Sequence, residues 1–313
     1  MPIITDSTIR HRWNSFYGKT TVNSFQQFNK SGINSIIRVN YLKTSDDDLI
    51  PKLEKKGFIL EKLELSGAYK VVKNTISLGA TNEYLYGQYA IQGLASQFVS
   101  HVVNPQPNDT ILDMSAAPGG KTAHMSSLMN NKGLIVATDS SKHRMTALRS
   151  NLARLDVKNV IGLQVDATTL PSSFGYFTKI LLDAPCTGSG SICKRPEEKW
   201  LKGISDIKRL AEKQTRLLEK AVQLLQPGGD LIFSTCSIEP EEGELQIAHL
   251  LTAFQKKFEL IDITESNNLF IPSKASHPDL PAEFLATNES KWLRITPNED
   301  YEGFFICKLR KKE

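Results

Sequence analysis

The chain has 313 residues, 40% hydrophobic, 23% charged and 8% aromatic, with a formal net charge of +4. This is an ordinary globular composition with room for two domains. It excludes disordered, collagen-like and disulfide-scaffold chains, and no run of about 18 apolar residues offers a membrane span.

The N-terminal MPIITDSTIRHRW has early charges and no apolar core, so it does not read as a secretory signal. Four cysteines fall short of a disulfide framework and suit a reducing, cytoplasmic setting. Residues 1–75 hold 12 Lys and Arg against 7 Asp and Glu, so the positive excess lies in the first quarter. That placement suits an arm or domain facing a polyanion, and equally a solvated lysine-rich surface.

Taken in chain order, INSIIRVNYLK (33–43) reads as a strand because Ile36, Ile37, Val39 and Tyr41 are β-formers. Ser45 and Asp46 to Asp48 supply a helix cap and an acidic first turn. Leu49, Ile50, Leu53 and Phe58 then form a helical face that stops near Gly57. Strands are expected at 58–65 and 68–73 around Ser66-Gly67. These elements make a small basic α+β module within residues 1–79. Residues 80–105 are read as a connector, with a long helix over 84–103, opening a second domain that runs to 313. The two prolines of Asn104-Pro105-Gln106-Pro107-Asn108-Asp109 break the chain.

Beyond that break, strands at 110–114, 133–139, 160–166, 179–185 and 230–236 alternate with helices near 120–130, 141–155, 206–226 and 240–255. Late strands are expected at 258–263 and 303–309. Alternation of this kind predicts an α/β fold, a doubly wound Rossmann-like sheet.

In open α/β sheets, ligands sit beyond the carboxyl ends of the strands. Asp113 is followed by Ser115-Ala116-Ala117-Pro118-Gly119-Gly120-Lys121-Thr122, a run of small residues that lets backbone approach a ligand at a helix start. It is neither the dinucleotide G-x-G-x-x-G nor a P-loop, whose first glycine is replaced by Ser115. Asp139 ends the second strand, placed for ribose hydroxyls, and Asp166 ends the third, placed for an adenine edge. The bland alternative is that each Asp merely caps the next helix. Three acidic strand ends suit a phosphate-free nucleoside cofactor, which is S-adenosylmethionine.

The fourth strand delivers Asp183-Ala184-Pro185-Cys186 and the fifth Ser234-Thr235-Cys236-Ser237. A buried structural thiol is the usual state of a lone cysteine, and it accounts for Cys307. It accounts less well for two cysteines at strand ends. Zinc spacing and C-x-x-C are both absent. A thiolate beside a methyl donor and a carboxylic acid suits methylation at pyrimidine carbon 5. Addition of sulfur at carbon 6 makes carbon 5 nucleophilic, acid at N3 supports the addition, and a base later removes the carbon-5 proton. On this reading Asp183 faces N3, one cysteine is the nucleophile and the other serves release.

DMSAAPGGKT, DAPCTGSG and FSTCSIEPEE, in that order, with Arg38-Val39-Asn40 before them and Gly303-Phe304-Phe305-Ile306 after, resemble the Nop/Sun family of RNA cytosine-5 methyltransferases, most of all its archaeal-type tRNA (cytosine-5) members. The resemblance implies a cofactor stretch from Ser115 to Lys121, through Ala116, Ala117, Pro118, Gly119 and Gly120. Asp139, Arg144, Asp166 and Asp183 complete it. It also implies Cys236 as nucleophile and Cys186 as the residue assisting release. DNA cytosine-5 methyltransferases, which use the Cys of the Pro-Cys turn, would point to Cys186 instead.

Two departures stand out. Asn298 follows Pro297 where the family often has His, and no extra domain is inserted between residues 75 and 110. Lys121 could serve the methionine moiety or Asp183, or simply face solvent. Lys194, Arg195, Lys199 and Trp200 could meet phosphates and a stacked base. The implied partner is RNA, with the target base flipped out and the basic module on phosphates. No metal, no membrane and a monomer are expected. Ribosomal RNA as substrate, a non-catalytic RNA-binding assembly factor and a DNA methyltransferase are the rivals.

Overall fold

The computed structural model describes residues 7–31, 33–192, 203–254, 257–263, 269–270, 272–275, 277–280 and 282–313. The first elements are α1 (Ser7–Tyr17), α2 (Lys19–Ser31), β1 (Ser35–Val39), α3 (Asp46–Glu54), β2 (Ile59–Lys62), β3 (Ala68–Lys73), α4 (Asn82–Leu85), β4 (Tyr89–Ile91) and α5 (Leu94–Val103). Next come β5 (Thr110–Asp113), α6 (Gly120–Leu128), β6 (Leu134–Asp139), α7 (Lys142–Arg154), β7 (Val160–Gln164) and β8 (Phe177–Asp183). The last are α8 (Ile204–Leu224), β9 (Leu225–Thr235), α9 (Glu244–Ala253), β10 (Phe258–Ile261), α10 (Ala282–Asn288), β11 (Leu293–Ile295) and β12 (Phe304–Lys311). They form two compact units, residues 34–181 and a discontinuous unit of 1–33 with 182–313. Among the described residues no helix is long and apolar enough to cross a membrane.

The unit of residues 34–181 begins with an antiparallel sheet in the order β2-β3-β1-β4. Alternating apolar side chains put Ile37, Val39, Tyr69, Val71 and Tyr89 under α3, whose Leu49 and Leu53 complete a buried core. Ser45 caps α3 as expected, its side chain accepting the Asp48 N–H at 3.3 Å.

The long helix expected over 84–103 is instead a short α4, the strand β4 and the shorter α5. Gly87 sits at φ +72°, and a Cβ there would lie 1.8 Å from the Arg154 carbonyl oxygen, so only glycine allows this close backbone crossing. Tyr89 to Ile91 then pair with β1. Asn40 explains the crossing: its buried Nδ2 donates to the Gly87 carbonyl at 2.8 Å and to the Leu155 carbonyl at 2.9 Å. Arg38, 2% exposed, donates from Nε to Gln92 Oε1 at 2.9 Å.

The same unit continues as parallel strands in the order β8-β5-β6-β7. Val136, Ala137 and their neighbours are buried under helices that contribute Ala123, Met145 and Leu148.

In the discontinuous unit, β12 lies antiparallel between β9 and β10, and β11 also pairs with it. The end of β8 joins β9 through the Ala184 N–H, which donates to the Ser234 carbonyl at 2.8 Å. The strand expected at 303–309 is thus the antiparallel member of an otherwise parallel design. Helix α8 buries Ile207, Leu210, Leu217 and Leu218 along one face. Helices α1 and α2, for which the sequence raised no expectation, bury Ile9, Trp13, Phe16, Val22 and Phe25 with Ile207 and Ile238.

Replacing Asn40 with Ala removes two hydrogen bonds and leaves two buried carbonyls unpaired, so Asn40→Ala is expected to lower the unfolding free energy by about 2–3 kcal/mol. Urea denaturation measures this. A loss well under ~1 kcal/mol would show that the crossing at Gly87 holds without it.

Candidate active site

The residues predicted for a cofactor lie in the unit of residues 34–181, except Asp183, which belongs to the discontinuous unit. The loop from Ser115 to Gly119 connects β5 to α6, with Ala116, Ala117 and Gly119 buried and Ser115, Gly120 and Lys121 half-buried. Gly119 caps α6 at φ +97° without any side-chain cap, leaving the first N–H groups of the helix to other partners. A Cβ on Gly119 would meet Leu148 Cδ1 at 2.7 Å. A Cβ on Gly120 would meet nothing closer than Gln92 at 3.9 Å, so the outer side of the loop is open.

Asp113, at the end of β5, accepts the Thr122 hydroxyl at 2.7 Å and so ties the strand end to α6. Asp139, at the end of β6, is 4% exposed. Its Oδ1 accepts the Ser141 N–H at 3.0 Å. Its buried Oδ2 has no hydrogen bond, although Arg144 Nη1 stands 3.2 Å away. Arg144 also donates from Nη2 to the Ala117 carbonyl, and so links Asp139 to the small-residue loop.

Asp166 realises the bland alternative in part. Its Oδ1 accepts the Thr168 N–H at 3.0 Å and the Thr168 hydroxyl at 2.8 Å, capping a short 3₁₀ turn. The basic cluster Lys194, Arg195, Lys199 and Trp200 lies outside the described residues.

Asp183, Cys186 and Cys236 lie in the discontinuous unit. Asp183, half-buried at the end of β8, accepts the Ser234 hydroxyl at 2.8 Å. The next strand ends at Thr235, and Cys236 follows it. The two sulfurs are 3.4 Å apart, within hydrogen-bond distance, and both residues are half-buried.

The backbone around them is tight. Gly190 N–H donates to the Cys236 carbonyl at 3.0 Å, and Gly303 N–H to the Gly190 carbonyl at 2.9 Å. A Cβ on Gly190 would lie 2.3 Å from the Gly303 oxygen. The Cys186 thiol is held well above its ordinary range, first by its hydrogen bond with Cys236, then by burial, then by negative charge on Cys236, Glu242 and Asp183.

Sequence reasoning did not single out the acidic run behind Cys236, which resembles a solvated charge run. The structure buries three of its members. Glu239 accepts the Trp13 indole N–H at 2.6 Å and pairs with Arg12 at 3.2 Å. Glu242 accepts the Thr187 N–H at 2.9 Å and the Thr187 hydroxyl at 2.5 Å. Glu244 holds the buried Arg294 in a two-pronged pair at 2.9 and 2.5 Å, and Arg294 also donates to the Ser237 carbonyl at 2.5 Å.

A small-residue loop and two acidic strand ends on parallel strands are the layout of a Rossmann-like methyltransferase domain. Residues 100–310 match the family model described as 16S rRNA methyltransferase RsmB/F. The chain belongs to this family, the Nop/Sun family that its motifs resemble.

A 28S rRNA (cytosine-C(5))-methyltransferase from Mus musculus is 36% identical over 286 residues, spanning 88% of this chain and 35% of the mouse protein. The crystal structure of a methyltransferase homolog protein from Pyrococcus horikoshii is 33% identical, with a TM-score of 0.83, over 99% of this chain and 96% of that one. NSun6 from Pyrococcus horikoshii, solved with SFG, is 26% identical with a TM-score of 0.84, over 98% of both chains. The chain spans about a third to about two thirds of the length of the curated relatives it matches.

Burial raises the Glu242 carboxyl from 4.5 to about 7, against hydrogen bonds from Ser237 and Thr187 that pull it down. A raised carboxyl pKa leaves stability intact below pH 4.5. Stability is then lost up to about pH 7, because the unfolded chain ionises first. The linkage amounts to ~3 kcal/mol. Glu242→Gln removes it, so urea unfolding at pH 5 and pH 8 should show wild type losing stability relative to the variant as pH rises. A pH-independent difference would contradict the shift.

Proposed function

We propose that the chain is an S-adenosylmethionine-dependent RNA methyltransferase that forms 5-methylcytosine, with tRNA as its substrate. The observation that carries the reading is the pair of sulfurs 3.4 Å apart at two strand ends, with Asp183 at the end of one of those strands. Family membership and the cytosine-C(5) activity in the mouse relative's name support it.

The cofactor fits the residues present. The unbonded, buried Oδ2 of Asp139 calls for a hydroxyl donor, as a ribose provides. The open side of Gly120 leaves backbone available to the methionine part between Ser115 and Lys121. Asp166 is assigned to the adenine, and Arg144 keeps Asp139 and the loop in register. A relative of the same fold was solved with SFG, an analogue of this cofactor. When bound, S-adenosylmethionine supplies an electrophilic methyl group and leaves as a neutral thioether.

The chain's own residues do the rest. Cys236 thiolate adds to C6 of the cytosine, and N3 takes a proton from Asp183, so the ring electrons gather at C5. C5 takes the methyl group. The C5 proton then leaves to solvent with the assistance of Cys186, the C6–S bond breaks to return Cys236 as a thiolate, and N3 returns its proton to Asp183. Either sulfur of the pair can hold the shared proton, and the assignment of Cys236 as nucleophile and Cys186 to release follows the family resemblance.

Ribosomal RNA is the second reading for the substrate. It is favoured by the family description and by the mouse relative's name. The same residues would serve either RNA. The enzyme is taken to act as a cytoplasmic monomer that flips its target base out of the stack.

Methyl transfer from labelled S-adenosylmethionine to unmodified tRNA transcripts and to ribosomal RNA decides the substrate. Labelled 5-methylcytidine from tRNA is expected. Label in ribosomal RNA alone would replace the substrate. No label in either, with cofactor bound, would remove the enzymatic reading. Cys236→Ala should reduce transfer to background, and Cys186→Ala should accumulate a covalent protein–RNA adduct on denaturing gels. An active Cys236→Ala with an inactive, adduct-free Cys186→Ala would exchange the two roles.

A further inference from the structure

One residue engages the chain on both sides of both cysteines. The Glu242 side chain is fully buried, and its carboxylate accepts the Thr187 N–H on both oxygens, at 2.9 and 3.1 Å, and the Thr187 hydroxyl at 2.5 Å. Gln214 of α8 stands 3.4 Å from the same carboxylate and donates to the Pro185 carbonyl at 2.9 Å. Pro185 and Thr187 flank Cys186. On the other strand, the Thr235 hydroxyl donates to the main-chain carbonyl of Glu242 at 3.0 Å. The Ser237 hydroxyl hydrogen-bonds to the Glu242 carboxylate and lies 3.4 Å from the Thr187 hydroxyl. Thr235 and Ser237 flank Cys236.

We propose that Glu242 is the positioning residue that holds Cys186 and Cys236 at hydrogen-bonding separation, its carboxylate fixing the Cys186 loop and its carbonyl fixing the strand end before Cys236. The proposal rests on the reading of these two thiols as the reacting pair. Glu242 acts through Thr187, Ser237 and Gln214 and is given no contact with substrate.

The donors explain why a carboxylate stands here. A main-chain N–H, two hydroxyls and an amide converge on one group, and above about pH 7, where it is ionised, only an acceptor-only side chain with two oxygens takes them all. Glutamine would turn an N–H₂ toward donors and leave at least one of them buried without a partner. The titratable groups that face Glu242 are Cys186 from the loop after β8 and Glu239 from its own turn, while α8 presents the uncharged Gln214. The far end of the Cys186 loop has its own tie, from the Gly190 N–H to the Cys236 carbonyl at 3.0 Å, which Glu242→Gln leaves in place.

The separation of the thiols can be read without any reaction. Phenylarsine oxide bridges two thiols held a few ångströms apart, with loss of water, and binds single thiols far more weakly. Titration of the full chain should show one tight bridge that disappears in Cys186→Ser. Glu242→Gln should weaken the bridge by about tenfold or more and lower kcat by a similar factor, with KM for RNA nearly unchanged. Thr187→Val, which keeps the main-chain N–H and loses the hydroxyl, should fall between the two. It also serves as the test where Glu242→Gln does not refold.

A folded Glu242→Gln, or failing that Thr187→Val, that bridges as tightly as wild type overturns the proposal whatever the activity. A weakened bridge in a chain that methylates no RNA even as wild type supports the positioning role and overturns the methyltransferase reading instead.

Discussion

Four glutamates, Glu239, Glu241, Glu242 and Glu244, follow Cys236 within eight residues, and the discontinuous unit is arranged around supplying them with partners. Three of them are buried, and a buried carboxylate without donors is among the costliest features a fold can carry. Each draws in a different element. Glu239 takes Arg12 and Trp13 from α1, Glu242 takes the loop after β8 together with α8, and Glu244 takes Arg294 from β11. The exposed side of the run is served as well, since Glu241 pairs with Arg12 at 2.7 Å. The segment behind the second thiol thus acts as a polar keystone for parts of the chain far apart in sequence.

The unit of residues 34–181 solves a different problem. Its strand ends must present carboxylates without wasting them on each other. Asp113 is spent internally, on Thr122, to fix the start of α6. Asp139 keeps one oxygen for the turn and one unbonded, with Arg144 alongside. Small side chains between them keep the backbone accessible. Each acid has one oxygen in a hydrogen bond, to the Thr122 hydroxyl for Asp113 and to the Ser141 N–H for Asp139, and Arg144 stands beside the second oxygen of Asp139, details that position at a strand end does not reveal by itself.

Much of the fold was legible because its signals are local and periodic. The apolar runs at 110–114, 133–139 and 230–236 and the amphipathic face of α8 announce strands and a helix with little ambiguity. The position of the motif cysteines and Asp183 at or just beyond strand ends was legible because the apolar runs before them mark the strands.

What escaped was non-local. Residues 84–103 carry a helical pattern, yet β1 recruits Tyr89 to Ile91 and a backbone crossing at Gly87 ends the helix early. Helices α1 and α2 become stable by burying Trp13 and Phe25 against residues beyond 200. The acidic run drew no expectation because its partners come from α1, α8 and β11, and no window of sequence contains them. Asp166 was read as a ligand residue, and its cap on Thr168 is a local bond that competes with that role.

The pairing of Trp13 with Glu239 has a consequence for biosynthesis. The two residues are 226 positions apart in the chain. At about 5–20 residues per second, the first helices wait roughly 10–45 seconds on the ribosome for the surface that covers their apolar side chains. During that interval Ile9, Trp13, Phe16, Val22 and Phe25 have one another but lack Ile207 and Ile238, which complete their cluster. Vectorial synthesis therefore favours early completion of residues 34–181, and the thiol-bearing unit closes only when the last strands emerge.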